Sequence, residues 1–352
     1  MKKIYINGRF LTQKITGVQR YAEEIIKAID SQVIDKVNYK WILLVPKNII
    51  RNLKLENIEI KKIGYLKGHL WEQIELPFYS KDGILLNFCG CAPIIKKNQM
   101  TTIHDAAVCV MPESFSFLFR TWYKLMFYIL GKRARKIFTV SEFSKKEINR
   151  FFNIPFDKIE ITYNGIDHIL QIEPDESIFN KLKIEKNNYV LAVSSLNPSK
   201  NFKLILKVAK KLQNVNFVIA GGTNSNIFKE QGLEITSNVN FIGYVNDEEL
   251  IALYKYANCF VYPSIYEGFG IPPIEAMSCR CPVIVSNIDV LREVCGKGAL
   301  YCDIKDVDNL TNKIQQIYNN IINIDELIEE GKKNIKKYKW NNSARKIIKF
   351  VR

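Results

Sequence analysis

The chain has 352 residues, of which 47% are hydrophobic, and a formal net charge of +15, enough material for two buried cores. No apolar run approaches the length of a membrane-spanning helix, and the start M-K-K-I-Y-I-N-G-R lacks the apolar core of a signal peptide, so we expect a cytoplasmic protein. Its eight cysteines are scattered or spaced C-x-C rather than C-x-x-C, which disfavours zinc sites and disulfides and fits a reducing compartment.

Short β-rich runs alternate with helical segments along the chain, which is the pattern of parallel sheets covered by helices. In the first half the predicted strands are 4–7, 41–45, 58–63, 84–88, 101–104, 137–140 and 159–163. In the second half they are 189–193, 216–220, 240–242, 259–262, 283–286 and 299–302. The sequence therefore predicts an α/β protein with two doubly wound sheets.

The stretch 168–188 is the least apolar part of the middle of the chain, and it contains Pro174. We therefore expect an N-terminal domain over 1–170, a linker over 171–188 and a second domain over 189–337. In the last segment, 338–352, apolar residues recur at helical spacing and predict an apolar stripe on one helix: Trp340, Ala344, Ile347, Ile348 and Val351.

The positive charge is concentrated in residues 1–170, which hold 27 Lys and Arg against 16 Asp and Glu. A basic face suits nucleic acid, anionic lipid or a phosphorylated substrate, and charge alone does not choose among them. The segment 115–136 mixes large aromatic residues with a basic cluster in a helical stretch. Such a segment favours a peripheral position on an anionic membrane surface over a helix that is simply buried on one side.

The stretch 263–282 reads P-S-I-Y-E-G-F-G-I-P-P-I-E-A-M-S-C-R-C-P and places Glu267 and Glu275 on either side of a glycine turn. Glycines allow a sharp turn after a strand, and the two prolines suit the first turn of a helix. Free amides at that helix start attract a diphosphate, and the two carboxylates can accept from vicinal hydroxyls. A plain strand-to-helix turn with capping acids is the alternative.

Several further stretches accompany this one in a fixed order along the chain: I-N-G-R-F-L-T-Q-K-I-T-G-V-Q-R-Y at 6–21, T-I-H-D at 102–105, V-S-E-F-S at 140–144, Y-N-G-I-D at 163–167, S-S-L-N-P-S-K-N at 194–201 and the run 241–264. With the two glutamates eight residues apart, the set resembles the retaining family-4 glycosyltransferases, which have the two-domain GT-B fold. The resemblance implies two Rossmann-like domains that face each other across a deep cleft. It also implies that the final helix crosses back to the N-terminal, acceptor-binding domain.

The resemblance assigns roles residue by residue. Glu275 matches the acid that accepts from the donor ribose, Glu267 the acid that contacts the transferred sugar, and His104 the histidine that touches the sugar and supports the leaving group. Lys200 is the expected cation for the departing diphosphate. The other donor-binding positions that the resemblance implies are Gly17, Ser195, Gly243, Tyr244, Val245, Gly268, Phe269, Gly270 and Ile271.

This sequence departs from the family pattern at two positions. Ser195 stands where an arginine is common, so Lys200 with backbone amides suffices, or Arg9 or Arg20 supplies the second cation. Gln19 replaces a common glycine and makes the first loop stiffer. The resemblance also implies front-side departure and attack with retention, the phosphate oxygen acting as base. With no Asp-x-Asp motif before a strand end, no metal or other cofactor is expected.

The leading function is a transferase that moves a hexose from a nucleotide-diphosphate sugar to a glycan acceptor, preferably one linked to polyprenyl diphosphate, in bacterial O-antigen or capsule synthesis. GDP-, dTDP- and UDP-linked sugars all remain open as donors. The competing functions are a basic nucleic-acid-binding protein and a catalytically weak protein that kept the fold.

Overall fold

The computed structural model describes residues 1–33, 37–194, 197–221 and 235–351. The chain forms two compact units, one of residues 1–165 and 338–352 and the other of residues 166–337. Each unit contains one parallel sheet. In the described residues all thirteen predicted strands are present, and the sequence-based prediction of two doubly wound sheets is confirmed.

The sheet of the first unit has seven strands: β1 (Lys2–Asn7), β2 (Tyr39–Val45), β3 (Glu59–Lys62), β4 (Ile84–Asn87), β5 (Gln99–Thr102), β6 (Lys136–Thr139) and β7 (Ile159–Ile161). Their order in the sheet is β3-β2-β1-β4-β5-β6-β7, and all pairs are parallel. Central strands such as W-I-L-L-V at 41–45 are apolar throughout because helices cover both faces. The edge strand β3 carries exposed Glu59, Lys61 and Lys62, and charges of this kind discourage pairing with another sheet.

Helices connect these strands: α1 (Gly17–Asp30), α2 (Gly68–Leu70), a π-helical turn (Trp71–Glu75), α3 (Leu76–Tyr79), α4 (Ala107–Val110), α5 (Phe117–Arg133) and α6 (Glu142–Phe152). The helix α5 buries only part of its surface, and Phe117 and Leu118 at its start are 69% and 80% exposed. Within the described ranges, every helix is too short or too polar to cross a bilayer.

The six-stranded sheet of the second unit has the order β10-β9-β8-β11-β12-β13. Its strands are β8 (Tyr189–Ser194), β9 (Asn216–Gly221), β10 (Val239–Gly243), β11 (Cys259–Tyr262), β12 (Val283–Ser286) and β13 (Leu300–Cys302). Its helices are α7 (Ser177–Leu182), α8 (Phe202–Lys211), α9 (Asp247–Lys255), α10 (Ile271–Ser278), α11 (Asp289–Cys295), α12 (Val307–Tyr318) and α13 (Ile324–Ile335). Because the strands are parallel, their carboxyl ends share one edge of the sheet, where ligands of doubly wound sheets bind.

The segment expected to be a linker, 171–188, belongs to the second unit. It contains α7, whose Phe179 is buried with its ring 5.4 Å from that of Tyr256. Two apolar residues, Ile178 and Phe179, anchor this otherwise polar stretch. The change between units therefore falls at Gly165, upstream of the predicted position.

The last helix, α14 (Trp340–Val351), belongs to the first unit. The predicted apolar stripe is buried there, with Trp340, Ala344, Ile347, Ile348 and Val351 all largely inaccessible. The ring of Trp340 lies 5.8 Å from that of Tyr21 in α1, and Ser343 donates to the carbonyl of Tyr163 at 2.7 Å. The helix thus joins the first unit after the chain has built the second.

Candidate functional site

Lys200 and Glu267 form a close ion pair at the carboxyl edge of the second sheet. Lys200 ends a 3₁₀ turn (Pro198–Lys200) after β8, and its Nζ lies 2.6 Å from Oε1 of Glu267 and 3.1 Å from the hydroxyl of Tyr262 at the end of β11. Burial alone would lower the pKa of Lys200, but the Glu267 carboxylate and Tyr262 more than offset this and raise it. The ammonium group therefore stays charged at every physiological pH.

Two backbone features hold this pair in place. The side chain of Asn197 accepts from the amide of Ser199 at the start of the 3₁₀ turn, and the carbonyl of Ser199 accepts from the amide of Ile265 at 2.7 Å. The second bond ties the loop of Lys200 to the loop of Glu267. The position of the ammonium group relative to the carboxylate is thus fixed by main-chain contacts as well as by the ion pair.

The glycine turn leads directly into α10, as the sequence predicted. Gly270 has a φ of 90°, which favours glycine, and a Cβ there would lie 2.8 Å from a methyl carbon of Leu291. Ile271 is the first residue of α10, and Pro272 and Pro273 follow it. Because prolines carry no amide hydrogen, this helix start offers fewer main-chain donors than an ordinary one.

Glu275 projects from the first turns of α10 into a separate group of side chains within the same unit. Its Oε2 accepts from the hydroxyl of Tyr254 in α9 at 3.3 Å, and its Oε1 lies 3.3 Å from Nε2 of His168. Burial, followed by the nearby Glu275 charge, holds the pKa of Tyr254 well above 10.0, so its hydroxyl stays a donor. The ring of Phe260 lies between the two groups, 5.3 Å from Tyr254 and 5.9 Å from Tyr262.

Sequence reasoning missed both partners of Glu275. Tyr254 lies within the run 241–264 and His168 directly follows the motif at 163–167, so both were adjacent to stretches already singled out. A tyrosine in an apolar helix and a histidine in a polar stretch carry no local sign of what they contact. The only sequence signal for Tyr254 and His168 was their position beside the motifs. Their contacts with Glu275 are visible only in the structure.

Three further donor-binding predictions, Gly243, Tyr244 and Val245, lie in the same unit. Gly243, with a φ of 74°, ends β10 at the carboxyl edge, and Tyr244 beyond it is 71% exposed. Val245 follows in the connection to α9. One strand, β9, lies between β10, which leads into this connection, and β8, which leads into the Lys200 turn. Ser195 lies outside the described residues.

His104 belongs to the first unit, two residues after β5. Its Nε2 lies 2.8 Å from the carbonyl of Phe88, which can only accept, so Nε2 carries the proton and Nδ1 is left as an acceptor. The ring packs edge-on against Tyr21 at 4.9 Å. Burial lowers the pKa of His104 from 6.5 to about 4, so the ring is neutral at physiological pH. Asp105 accepts from the amide of Ala107 at 2.8 Å, a local turn contact.

The first loop of the chain and the start of α1 hold Gly17 and the two arginines considered for a second cation. Gly17 is the first residue of α1, and Gln19 closes a capping box with Thr16. Arg9, one of the two guanidinium groups considered as a second cation, is buried, and its Nε lies 3.1 Å from Oε1 of Glu72. The other, Arg20, lies 4.0 Å from Glu24. Both are already paired with carboxylates, which counts against a phosphate role for either.

A group of potential metal ligands lies next to Arg9. His69, Glu72 and Cys91 each offer one ligand atom, and the three atoms lie within 4.8 Å of one another. The guanidinium of Arg9 lies against Glu72, and it also helps to set the pKa of Cys91, which burial raises to about 12. A divalent cation there would face a fixed positive charge and a protonated thiol, so this group is a poor metal site.

Two family models match the chain. The model described as "Glycosyl transferases group 1" matches residues 174–338, and the model described as "Glycosyltransferase Family 4" matches residues 86–169. A similar curated protein is the O-antigen chain mannosyltransferase RfbU of Salmonella typhimurium, 33% identical over 349 residues, which covers 91% of this chain and 95% of that protein.

Solved structures agree on the fold. A sucrose-phosphate synthase from Thermosynechococcus elongatus superposes with a TM-score of 0.76 at 15% identity, covering 99% of this chain and 98% of that chain. HepE from Anabaena, solved in complex with UDP-glucose, gives a TM-score of 0.75 at 16% identity and covers 100% and 99%. Together with the two parallel sheets, these likenesses identify the GT-B fold predicted from the sequence.

Proposed function

Because the chain belongs to the glycosyltransferases of group 1 and family 4, we propose that it moves a hexose from a nucleotide-diphosphate sugar to a lipid-linked glycan acceptor with retention of configuration. The chain is a glycosyltransferase, and its curated relative acts in O-antigen synthesis. Mannose is the first sugar to test because RfbU is a mannosyltransferase, which makes GDP-mannose the first donor.

The observation that carries this proposal is the partly buried pair of Lys200 and Glu267 at the carboxyl edge of the second sheet. As the bond between sugar and diphosphate breaks, negative charge grows on the leaving phosphate. A cation that is already fixed and partly shielded from water stabilises that charge without reorganising. In our proposal Lys200 turns part of its hydrogen bonding from Glu267 to the phosphate when the donor binds.

The carboxylates then bind hydroxyl groups. Glu267 accepts from the transferred sugar, and its contact with Lys200 through Oε1 orients the carboxylate. Glu275, held at one oxygen by Tyr254, accepts from the ribose diol. The neutral ring of His104 offers Nδ1 as an acceptor to a sugar hydroxyl. Gly268, Phe269, Gly270 and Ile271 would contribute main-chain donors to the sugar and phosphate.

We also propose front-side attack with the phosphate oxygen as base, and a reaction that needs no divalent metal. Lys200 supplies a positive charge where a metal would otherwise be required.

Two competing functions were considered. Membership of a glycosyltransferase family favours an enzyme over the first of them, a nucleic-acid-binding protein. A catalytically weak protein is the second alternative, and turnover measurements decide it. The presence of Lys200, Glu267 and Glu275 with their contacts in place favours an active enzyme.

Membrane attachment is the remaining part of the proposal. The exposed side chains of Phe117 and Leu118 lie at the start of α5, and exposed Lys132, Arg133 and Arg135 lie at its end. A helix with exposed apolar groups at one end and cations at the other suits the interface of an anionic bilayer. Peripheral attachment at the inner face of the cytoplasmic membrane would bring the enzyme to a polyprenyl-diphosphate-linked acceptor.

The test uses purified protein with GDP-mannose, GDP-fucose, dTDP-rhamnose and UDP-hexoses, with and without EDTA. We expect turnover of one donor, unchanged by EDTA, and a product with the anomeric configuration of the donor by NMR. Turnover of none of these donors, with no rise in melting temperature on adding GDP, dTDP or UDP, would contradict the proposed function.

A further inference from the structure

A second polar group lies at the carboxyl edge of the sheet in the first unit, where β1 and β4 end. Glu72 is its centre and is only 1% exposed. Its Oε1 accepts from Asn7 at 2.8 Å and lies 3.1 Å from Nε of Arg9. Its Oε2 lies 3.3 Å from Nδ1 of His69. The buried carboxylate thus joins a buried guanidinium to an imidazole, and the side chain of that imidazole is 46% exposed.

The backbone is distorted so that Glu72 points inward. Residues Trp71–Glu75 form a π-helical turn in which the amide of Leu76 donates to the carbonyl of Trp71, five residues earlier. Burial follows the same spacing, since Trp71 and Glu72 are buried and so are Leu76 and Pro77. Such turns are uncommon and occur often at functional sites.

The contacts of Glu72 differ from those of a structural acid. Asp30, also buried, accepts from the backbone amides of Glu56, Asn57 and Ile58 and so simply holds a loop. The described contacts of the Glu72 carboxylate are all with side chains and none is with a backbone amide. One of these side chains, His69, reaches the surface. A buried ion pair adds little stability compared with apolar packing, so stability alone does not explain why Glu72 and Arg9 are buried here.

We propose that His69 binds a hydroxyl group of the acceptor sugar and that Glu72 is the positioning residue that orients its ring. The inference rests on the proposed glycosyltransferase function, in which the first unit binds the acceptor. In this arrangement Nδ1 carries its hydrogen toward Oε2 of Glu72, 3.3 Å away, and Nε2 is the nitrogen that accepts from the hydroxyl. A hydroxyl can donate to that nitrogen, whereas a phosphate oxygen cannot.

The surroundings of His69 suit a sugar that is attached to a lipid. Leu70 and Ile74 on the same helical segment are 62% and 57% exposed. On the other side of Glu72, Cys91 contacts the hydroxyl of Tyr123 at 2.7 Å, and Tyr123 stacks on Phe119 of α5 at 4.1 Å. The polar group therefore lies among apolar and aromatic side chains, which bind the faces of sugar rings and acyl chains.

The experiment measures transfer from GDP-mannose to a panel of octyl glycosides of mannose, galactose, rhamnose and N-acetylglucosamine. Variants His69→Ala, His69→Gln and His69→Lys are compared with the parent and with Lys67→Ala, a control two residues earlier. We expect His69→Ala to raise the acceptor KM about tenfold, the equivalent of one lost hydrogen bond. The KM for GDP-mannose and the rise in melting temperature with GDP should stay at the parental values.

The other variants separate hydroxyl binding from anion binding. His69→Gln retains an outward acceptor oxygen and should recover part of the acceptor affinity, whereas His69→Lys should not. A parental acceptor KM in His69→Ala would overturn this inference but not the proposed function. A parental acceptor KM in His69→Lys would indicate an anion site and would overturn the inference in the same way. An equal loss in Lys67→Ala, or a lost response to GDP, would show a structural effect and also overturn it. Failure of the parent to transfer to any acceptor would overturn the proposed function and this inference with it.

Discussion

Replacing Lys200 by methionine removes the charge of the buried ion pair while keeping a side chain of similar length. Its Nζ lies 2.6 Å from Glu267, and the side chains of the two residues are only 20% and 11% exposed. After Lys200→Met the Glu267 carboxylate stays in place without a cation. Breaking a buried pair on one side costs about 3 to 5 kcal/mol, and the partial exposure here points to the lower end, about 3 kcal/mol.

The double variant Lys200→Met, Glu267→Gln separates stability from activity. With both charges removed, no uncompensated charge is buried, and most of the lost stability should return. Turnover should not return, because the leaving diphosphate still lacks its cation. Loss of one fixed group of this kind lowers kcat by about 100-fold or more. We therefore expect the double variant to be at least as slow as Lys200→Met but more stable than it.

Urea unfolding and GDP-mannose turnover measure the two effects. Lys211→Met is the matched control, because Lys211 pairs with exposed Asp308 in the same unit and its loss should change neither quantity measurably. The raised pKa of Lys200 means that its contribution to stability is complete below about pH 10 and is lost only as the pH rises through the folded pKa. The gap between parent and Lys200→Met should thus be constant from about pH 6 to 9. Parental turnover in Lys200→Met, or restored turnover in the double variant, would refute the role given to Lys200.

Three other expectations concern the first unit. Burial lowers the pKa of His104 to about 4, so as the pH falls the unfolded chain binds a proton before the folded chain does. The free energy of unfolding should therefore fall by roughly 3 kcal/mol between pH 6.5 and 4. Urea unfolding across this pH range should show a smaller fall for His104→Asn than for the parent. An NMR titration that shows the His104 ring protonated at pH 6 would contradict it. Gly165→Ala places a Cβ 2.4 Å from the backbone nitrogen of Trp340, so it should cost about 1 to 3 kcal/mol and expose α14 to proteolysis; an unchanged cleavage pattern would count against that close contact. Phe117→Asp with Leu118→Asp should abolish co-sedimentation with phosphatidylglycerol vesicles without changing the circular dichroism spectrum, and unaltered binding would exclude α5 as the membrane contact.

Local sequence patterns were enough to predict the elements of the fold. Strand positions, the glycine turn before α10 and the buried stripe of α14 depend on periodicity and turn chemistry, which are local properties of the chain. The same local signals misplaced the boundary between the units. The polar composition of 171–188 outweighed Ile178 and Phe179, and only packing against Tyr256 shows that this stretch belongs to the second unit.

The contacts between side chains became visible only in the folded structure. Lys200 and Glu267 are 67 residues apart in sequence, and the pairing of His168 with Glu275 joins residues from two separate segments of the second unit. Motifs identified three of these four residues, but no pattern predicted the partners of Glu275. The inward turn of Glu72 was equally hidden, because a π-helical turn leaves no periodic trace in sequence. The physical reason is that a local pattern fixes the direction of a backbone, whereas a contact depends on where the sheet brings two distant strand ends together.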